Sequence, residues 1–134
     1  VFIENRHGSL TDFTQLLGEN GVDLIALSIA DTTNFGILRA IVSDNEKTLK
    51  VVRDKGYTAN LTEVLAVAVP DVPGGLAGVL QLLRDNDISV AYLYSFVRRV
   101  GNDAIIIFRV DQPERAGNLL RDKGVRLLEQ DEIA

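Results

Sequence analysis

The chain contains one pattern twice, and this repeat limits the possible folds more than any other feature. The tetrad Arg-Asp-Lys-Gly occupies residues 53–56 and returns at 121–124, an offset of 68 residues. Near the start, ENRHGSL at 4–10 aligns with PDVPGGL at 70–76 at an offset of 66. A fixed internal period indicates a repeated structural unit. We therefore predict two units, residues 1–63 and 64–134.

The two offsets differ by two residues, which indicates a short insertion in one unit relative to the other. It falls between residues 27 and 53, or in the corresponding part of the second unit. The turn-rich stretches DTTNFG at 31–36 and RRVGND at 98–103 are the predicted places, because loops tolerate changes of length.

Each unit has the sequence pattern of four strands. In the second unit, 63–69 is a short apolar run typical of a covered strand, and 88–96 is rich in β-branched and aromatic residues. A turn sequence at 100–103 then leads to a further apolar run, which predicts a hairpin. The predicted strands are 63–69, 88–96, 104–110 and 125–129 in the second unit, and 1–5, 22–30, 36–43 and about 57–62 in the first.

Each unit also has the pattern of two helices. Leucines at helical spacing follow the glycine pair of the second unit, and the first unit repeats them. The later helix of the second unit has Asp111 as a predicted cap and Pro113 in its first turn. Ser43 with Glu46 predicts the equivalent start in the first unit. The predicted helices cover 9–20 and about 76–87, and the two capped helices end at Gly56 and Gly124.

The element order β-α-β-β-α-β therefore occurs twice. Right-handed crossovers place both helices of a unit on one face of a four-stranded antiparallel sheet. The predicted fold class is α+β, with two ferredoxin-like units. Because a domain of about 60 residues buries little core alone, we expect the two units to be paired in one chain.

Composition excludes several classes of function. The net charge of −5 offers no basic surface for nucleic acid, and no apolar run of about 18 residues is present to span a membrane. The absence of cysteine excludes disulfides and thiolate metal sites and favours a cytoplasmic location. His7 is the single histidine and no nucleophile–base pair is recognisable. We therefore predict no catalytic residue, metal or cofactor, and no enzyme.

An RNA-binding version of the same fold stays open as a weaker alternative. Tyr92, Tyr94 and Phe96 share one face of a predicted strand, and Arg98 and Arg99 lie at the hairpin turn. Aromatic residues on a strand can stack on unpaired bases. The acidic balance of the chain counts against this function, and a covered sheet face explains the same aromatic residues.

The junction after the first strand of each unit is the predicted binding region. A helix that begins after Gly8 or Gly74 presents free N–H groups, and its dipole favours a negative charge there. Asn5 or Asp71 can then address an ammonium group. Such a pocket matches an amino-acid zwitterion. The alternatives are a tight turn without a ligand and a phosphate loop, although the lysine of a P-loop is missing.

The two junction motifs resemble those of ACT domains, which are small regulatory modules that bind amino acids in biosynthetic enzymes. The shared pattern is an Asn or Asp three residues before a glycine, with Leu two residues beyond it. The resemblance covers essentially the whole chain. ENRHGSL is especially similar to the serine-binding regulatory domain of phosphoglycerate dehydrogenase.

The resemblance implies a ligand at the interface of two ACT units, where the loop after the first strand of one unit meets the start of the second strand of the other. The second unit has Asp71 where the first has Asn5, and Ser89 where the first has Asp23. The two predicted ligand sites are therefore unequal. The ligand-binding residues implied by the resemblance are Asn5, His7, Gly8, Ser9, Leu10, Asp23, Leu24, Asp71, Pro73, Gly74, Gly75, Leu76, Ser89 and Val90.

The resemblance further implies a small free-standing regulator of amino-acid metabolism. It would sense an amino acid in the cytoplasm and modulate a partner enzyme, and it could form a homodimer. The alternative is an assembly module that has no small-molecule ligand, because ferredoxin-like units pair readily through exposed strand edges.

Overall fold

A computed structural model describes residues 1–4, 6–31 and 35–133, and for Asp31 and residues 97–100 it describes the backbone alone. The chain forms two compact units, Val1–Thr62 (unit 1) and Glu63–Ile133 (unit 2). Unit 1 contains β1 (Phe2–Glu4), α1 (Ser9–Glu19), β2 (Leu24–Asp31), β3 (Phe35–Val42) and α2 (Asn45–Asp54). Unit 2 contains β4 (Leu65–Pro70), α3 (Gly75–Asp85), β5 (Val90–Val100), β6 (Asp103–Val110), α4 (Pro113–Asp122), β7 (Leu127–Leu128) and the short α5 (Gln130–Ile133).

The sheet of unit 2 has the strand order β5-β6-β4-β7, and all its neighbours are antiparallel. Alternate residues of the central strands, such as Val67 of β4 and Phe108 of β6, belong to one apolar core. The same core contains Leu83 of α3 and Leu120 of α4. Because residues of one strand that are two apart share a face, both helices cover the same face of the sheet. The predicted α+β class with repeated βαββαβ units is confirmed.

The sheet of unit 1 has three strands, in the order β1-β3-β2. The strand predicted at 57–62 is wrong, because this segment forms a single bridge between Thr58 and Phe2. β1 is three residues long and β4 is six, so β1 offers its neighbour few positions for pairing. The segment is also held by hydrogen bonds from the Arg53 guanidinium to the Ala59 carbonyl, at 2.9 and 3.1 Å, and by the packing of Tyr57. The ring of Tyr57 meets that of Phe13 edge-on, at 5.3 Å between centroids, over the core of the unit.

Two helix caps differ from the prediction. Asp44, and not Ser43, caps α2, because its side chain accepts a hydrogen bond from an N–H of the first turn at 3.1 Å. Asp111 does not cap α4 either. Ser43 Oγ accepts from the Asp23 N–H at 2.9 Å, and Asp111 Oδ1 accepts from the Ser89 N–H at 3.0 Å. These two side chains therefore hold the turn that precedes the edge strand of each sheet.

The two-residue insertion lies inside β5. The β5–β6 register shifts between Ser95 and Arg99, after which Val100 pairs with Asp103 across a tight turn. The prediction of an insertion in the turn is therefore wrong for the second unit, and residues 32–34 of the first-unit turn lie outside the described part of the chain. A second irregularity, between Leu24 and Ala26 in β2, recurs at the equivalent place in β5.

Candidate functional site

The two β–α junctions have the same backbone geometry. Gly8 precedes α1 with φ 85° and ψ −8°, and Gly74 precedes α3 with φ 85° and ψ −7°. A residue with a side chain avoids this left-handed region, which explains a glycine at both places. The repeat seen in the sequence is therefore a repeat of one specific turn.

The hydrogen bonds of the two turns also correspond. The Arg6 N–H donates to the Glu4 carbonyl at 2.9 Å, and the Val72 N–H donates to the Pro70 carbonyl at 2.9 Å. The first helical residue then donates its N–H to the carbonyl of the residue three positions earlier. The distance is 3.3 Å from Ser9 to Arg6 in unit 1 and 3.0 Å from Gly75 to Val72 in unit 2. The turn is thus built by the backbone and not by the side chains that differ between the units.

Neither helix start has a side-chain cap among the described residues. A glycine in the capping position has no side chain with which to accept from the first turn. No bond is described for the N–H groups of Leu10 and Thr11, or for those of Leu76 and Ala77. Uncapped N–H groups at a helix start, together with the helix dipole, attract a negatively charged group. Both junctions are therefore suited to hold a carboxylate.

The first helical residue differs between the units. A Cβ atom added to Gly75 would overlap the Pro70 carbonyl oxygen, well inside the 3.0 Å that such atoms keep. Unit 1 has Ser9 at this place, so its junction has room for a side chain. Ser9 is 6% exposed, and its Oγ is buried with no hydrogen-bond partner among the described residues.

A cavity of about 540 Å³ opens in unit 1 beside the β1–α1 junction. Its walls come from β1, one side of α1 and the segment after α2. Phe35 and Tyr57 supply apolar surface, while Arg6, Ser9 and Asp12 supply polar groups. In unit 2 a groove of about 830 Å³ runs along α4 and is lined by other residues.

The charged groups at the cavity mouth are exposed and weakly coupled. Arg6 Nε donates to Glu4 Oε2 at 3.0 Å, and both side chains are more than half exposed. A surface ion pair of this kind contributes about 0–1 kcal/mol to stability. Asp12 lies in the first turn of α1, and no ion pair of its carboxylate appears among the described residues. The fold therefore does not hold the side chains of Glu4, Arg6 and Asp12 strongly in one position.

The predicted binding residues fall into two groups within each unit. Asn5 lies outside the described residues, and the others of the junctions lie on the turn or at the helix start. Asp23 and Ser89 lie instead at the turns before β2 and β5. In each unit a helix of eleven residues, about 16 Å at 1.5 Å per residue, separates the two groups. A single unit therefore does not bring them together. The junction residues are His7, Gly8, Ser9, Leu10, Asp71, Pro73, Gly74, Gly75 and Leu76, and Leu24 and Val90 begin the edge strands.

Sequence reasoning missed Arg6 and Asp12, which line the cavity with Ser9. The sequence contains a signal for both residues. At the offset of 66 residues, Arg6 aligns with Val72 and Asp12 aligns with Gly78, so the second unit has no polar side chain at either place. In the described part of the chain, no group of three or more metal-ligating side chains is present, and no helix is both long and apolar enough to cross a membrane. Tyr92 and Tyr94, two of the three aromatic residues considered for RNA, stack on each other at 6.4 Å between ring centroids.

The sequence model that describes an ACT domain pair matches residues 1–134. The chain belongs to the ACT domain pair family. ACT domains are in general regulatory domains that bind amino acids, and they are not catalytic. The two βαββαβ units described above are those of an ACT pair.

Solved structures include one close relative of this ACT pair. Protein BT0572 from Bacteroides thetaiotaomicron is 37% identical, with a TM-score of 0.92, over 98% of this chain and 90% of that one. Aspartate kinase from Synechocystis is 16% identical with a TM-score of 0.38, over 92% of this chain and 26% of that one, a likeness too weak to carry an inference. Among curated proteins, none matches the chain.

Proposed function

We propose that this ACT pair is a small regulatory protein that binds an amino acid at its β–α junctions. The observation that carries the proposal is the duplicated junction, in which Gly8 and Gly74 adopt the same left-handed turn before an uncapped helix. The turn requires glycine, and a glycine cap leaves the N–H groups of the first helical turn available to a ligand in both units.

The ligand chemistry follows from the groups that each junction offers. The N–H groups of the first helical turn receive the carboxylate of the amino acid, and the helix dipole adds to the attraction. The ammonium group is addressed by Asn5 in unit 1 and by Asp71 in unit 2, which are the polar residues of the two motifs. The side chain of the amino acid then meets the residues that differ between the units.

Regulation requires that the bound amino acid favour one of two states of the protein. In the function proposed here, those states differ in how well the ACT pair acts on a partner enzyme of amino-acid metabolism in the cytoplasm. A ligand with equal affinity for both states would have no effect on that enzyme, however tightly it binds.

The test is a thermal-unfolding screen of the full chain with each of the twenty common amino acids at millimolar concentration. A ligand that binds only the native state raises the melting temperature. The decarboxylated amine of any active amino acid is the matched control, and we expect it to give a smaller shift because the helix N–H groups lose their partner. Absence of a shift with all twenty would overturn the proposal.

Two variants then compare the junctions. Asn5→Ala and Asp71→Ala each remove the polar residue of one motif, and each should weaken binding at its own site without unfolding the protein. A titration that is unchanged in either variant removes that residue from the site.

Assembly without a small ligand is the second candidate function. Leu27 of β2 is 38% exposed, and Leu93 at the equivalent place in β5 is 37% exposed. β2 and β5 are the edge strands of their sheets, and apolar residues on an edge strand favour pairing with another chain. Light scattering on wild type and Leu27→Lys tests this function. A mass of one chain for both proteins, at all concentrations, would exclude it.

A further inference from the structure

Helices α1 and α3 end in the same kind of turn. Asn20 follows α1 and Asn86 follows α3, and the two asparagines correspond at the offset of 66 residues. The side-chain amide of Asn20 donates to the Leu16 carbonyl at 2.8 Å, and that of Asn86 donates to the Leu82 carbonyl at 2.9 Å. In both units the asparagine therefore closes the end of its helix, by bonding to a carbonyl group that the helix leaves without a partner.

The residue after the asparagine differs between the units. It is Gly21 in unit 1, with φ 70°, and Asp87 in unit 2, with φ 57°. Asp87 is the one residue other than glycine that has a positive φ in the described part of the chain. Glycine adopts this left-handed backbone without strain. Unit 1 thus carries an asparagine–glycine pair, and no other asparagine of the sequence precedes a glycine.

An asparagine followed by glycine is open to a reaction that removes its side-chain amide. The backbone nitrogen of Gly21 bonds to Cγ of Asn20, the bond from Cγ to Nδ2 breaks, and ammonia leaves with the proton of the attacking N–H. Water then opens the cyclic imide between its nitrogen and either carbonyl carbon, which gives aspartate or isoaspartate. Nothing is oxidised or reduced, and water is the co-reactant. Glycine has no side chain to obstruct the attack, whereas Asp87 has one.

The folded turn holds both nitrogen atoms of this reaction in hydrogen bonds. The attacking N–H of Gly21 donates to the Gly18 carbonyl at 3.1 Å, and the leaving Nδ2 of Asn20 donates to the Leu16 carbonyl at 2.8 Å. Asn20 has φ −99° and ψ 12° in this turn. Closing the imide ring rotates the Asn20 backbone and breaks the bond of the Gly21 N–H. The reaction therefore proceeds from an open form of the turn, whose population depends on local unfolding of the helix end.

We propose that Asn20 is the residue at which this protein is chemically modified with age, and that opening of the turn after α1 sets the rate. The inference goes beyond the proposed function, because it needs neither a ligand nor a partner. Helix ends open more readily than the core, so the site reacts in the native protein. Asn86 keeps its amide in the equivalent turn, because Asp87 follows it.

The modification weakens the core of unit 1. A carboxylate takes the place of the amide, so the Leu16 carbonyl loses its donor and a negative charge stands at the unfavourable end of the helix dipole. In isoaspartate the backbone is also one methylene group longer at this residue. The Val22 N–H then no longer fits the Leu17 carbonyl, to which it donates at 2.9 Å, and Val22 is a buried residue of the core.

The experiment is peptide mass spectrometry of the full chain after prolonged incubation in neutral buffer, folded and, in parallel, unfolded in urea. Each conversion adds one dalton, and chromatography separates the aspartate and isoaspartate peptides. We expect conversion at Asn20 in the folded protein at a rate about tenfold or more below that in urea. Conversion at Asn86 should be far slower in both samples. Hydrogen exchange of the Gly21 N–H reports the same opening, and its protection should match the slowing to within about tenfold.

Asp87→Gly is the matched variant, because it creates a second asparagine–glycine pair in the same turn. The variant should fold, since glycine suits φ 57°, and Asn86 should now convert at a rate similar to that of Asn20. Asn20→Gln keeps an amide but needs a larger ring, and it should remove the modification at this position. Aged protein, separated by its added negative charge, should melt several degrees below fresh protein, and Asn20→Asp should reproduce part of the loss.

Four results would overturn the inference. Folded protein that stays unmodified while unfolded protein is converted would mean that the fold closes the site completely. Equal rates in the two samples would show that the turn does not control the reaction. Conversion of Asn86 in the wild type as fast as that of Asn20 would exclude the following glycine as the cause. An aged protein as stable as the fresh one would exclude the effect on unit 1. None of these results bears on amino-acid binding, so the proposed function stands or fails separately.

Discussion

Replacement by alanine should change the stability of the protein in opposite directions at two glycines of α3, because only one of them lies in the tight junction of unit 2. Gly75→Ala and Gly78→Ala are the same chemical change, three residues apart in α3. An added Cβ at Gly75 would overlap the Pro70 carbonyl oxygen, whereas nothing lies within 4 Å of the same atom at Gly78. The two variants therefore isolate the effect of that one carbonyl group.

The magnitudes follow from packing and from helix propensity. Alanine in place of an exposed helical glycine stabilises a protein by about 0.5–1 kcal/mol, which is the expected result for Gly78→Ala. Overpacking costs about 1–3 kcal/mol. The Pro70 oxygen cannot move freely, because it also accepts from the Val72 N–H at 2.9 Å. We therefore expect Gly75→Ala to be the less stable variant by about 1.5–4 kcal/mol, the packing cost of one variant added to the propensity gain of the other.

Urea unfolding followed by circular dichroism measures the difference. The midpoint should fall for Gly75→Ala and rise for Gly78→Ala, with similar slopes if both variants unfold to the same denatured ensemble. Calorimetry should separate their melting temperatures by several degrees. Equal midpoints, or a Gly75→Ala variant more stable than Gly78→Ala, would show that α3 moves away from β4 at little cost. The account of why unit 2 has glycine here would then be wrong.

Three further changes test the rest of unit 1 and the end of the chain. Phe13→Ala should lower the free energy of unfolding by about 3–5 kcal/mol, since the ring is 1% exposed in the core. Asp44→Ala should lower it by about 1 kcal/mol through loss of the α2 cap, and urea unfolding checks both. Hydrogen bonds from the Glu129 N–H and the Arg126 guanidinium hold the pKa of Glu132 below its ordinary value of 4.5. Their stabilisation of α5 is therefore present above that value and is lost as the pH falls through the lowered pKa, which an NMR titration of α5 would show.

The repeat made most of the fold predictable from the sequence. Apolar periodicity and turn signals locate the strands and helices, and the pairing follows because few topologies join a βαββαβ order without a left-handed crossover. The segment at 57–62 was misassigned because its composition suits a strand, whereas pairing depends on the length of β1, which no local pattern reports.

The helix caps and the candidate site depend on features of the structure that sequence patterns do not determine. Ser43 and Asp44 are both good capping residues, and only the backbone angles decide between them. The glycines of the junctions predicted their turns, since φ 85° demands glycine. Arg6 and Asp12 looked like ordinary surface charges. Their placement on one cavity depends on where the segment after α2 passes, which is a tertiary feature.

The insertion in β5 has a consequence for how the two halves of the chain can diverge. Between Ser95 and Arg99 the strand gains two residues against its neighbour β6. Side chains of a strand alternate between its faces, so an insertion of two residues keeps the alternation of the sequence, whereas a single extra residue has to be taken up by a bulge, as it is between Val90 and Tyr92. A duplicated gene can thus lengthen one copy of an edge strand by two codons while that copy still pairs with its neighbour up to the turn, as Val100 does with Asp103.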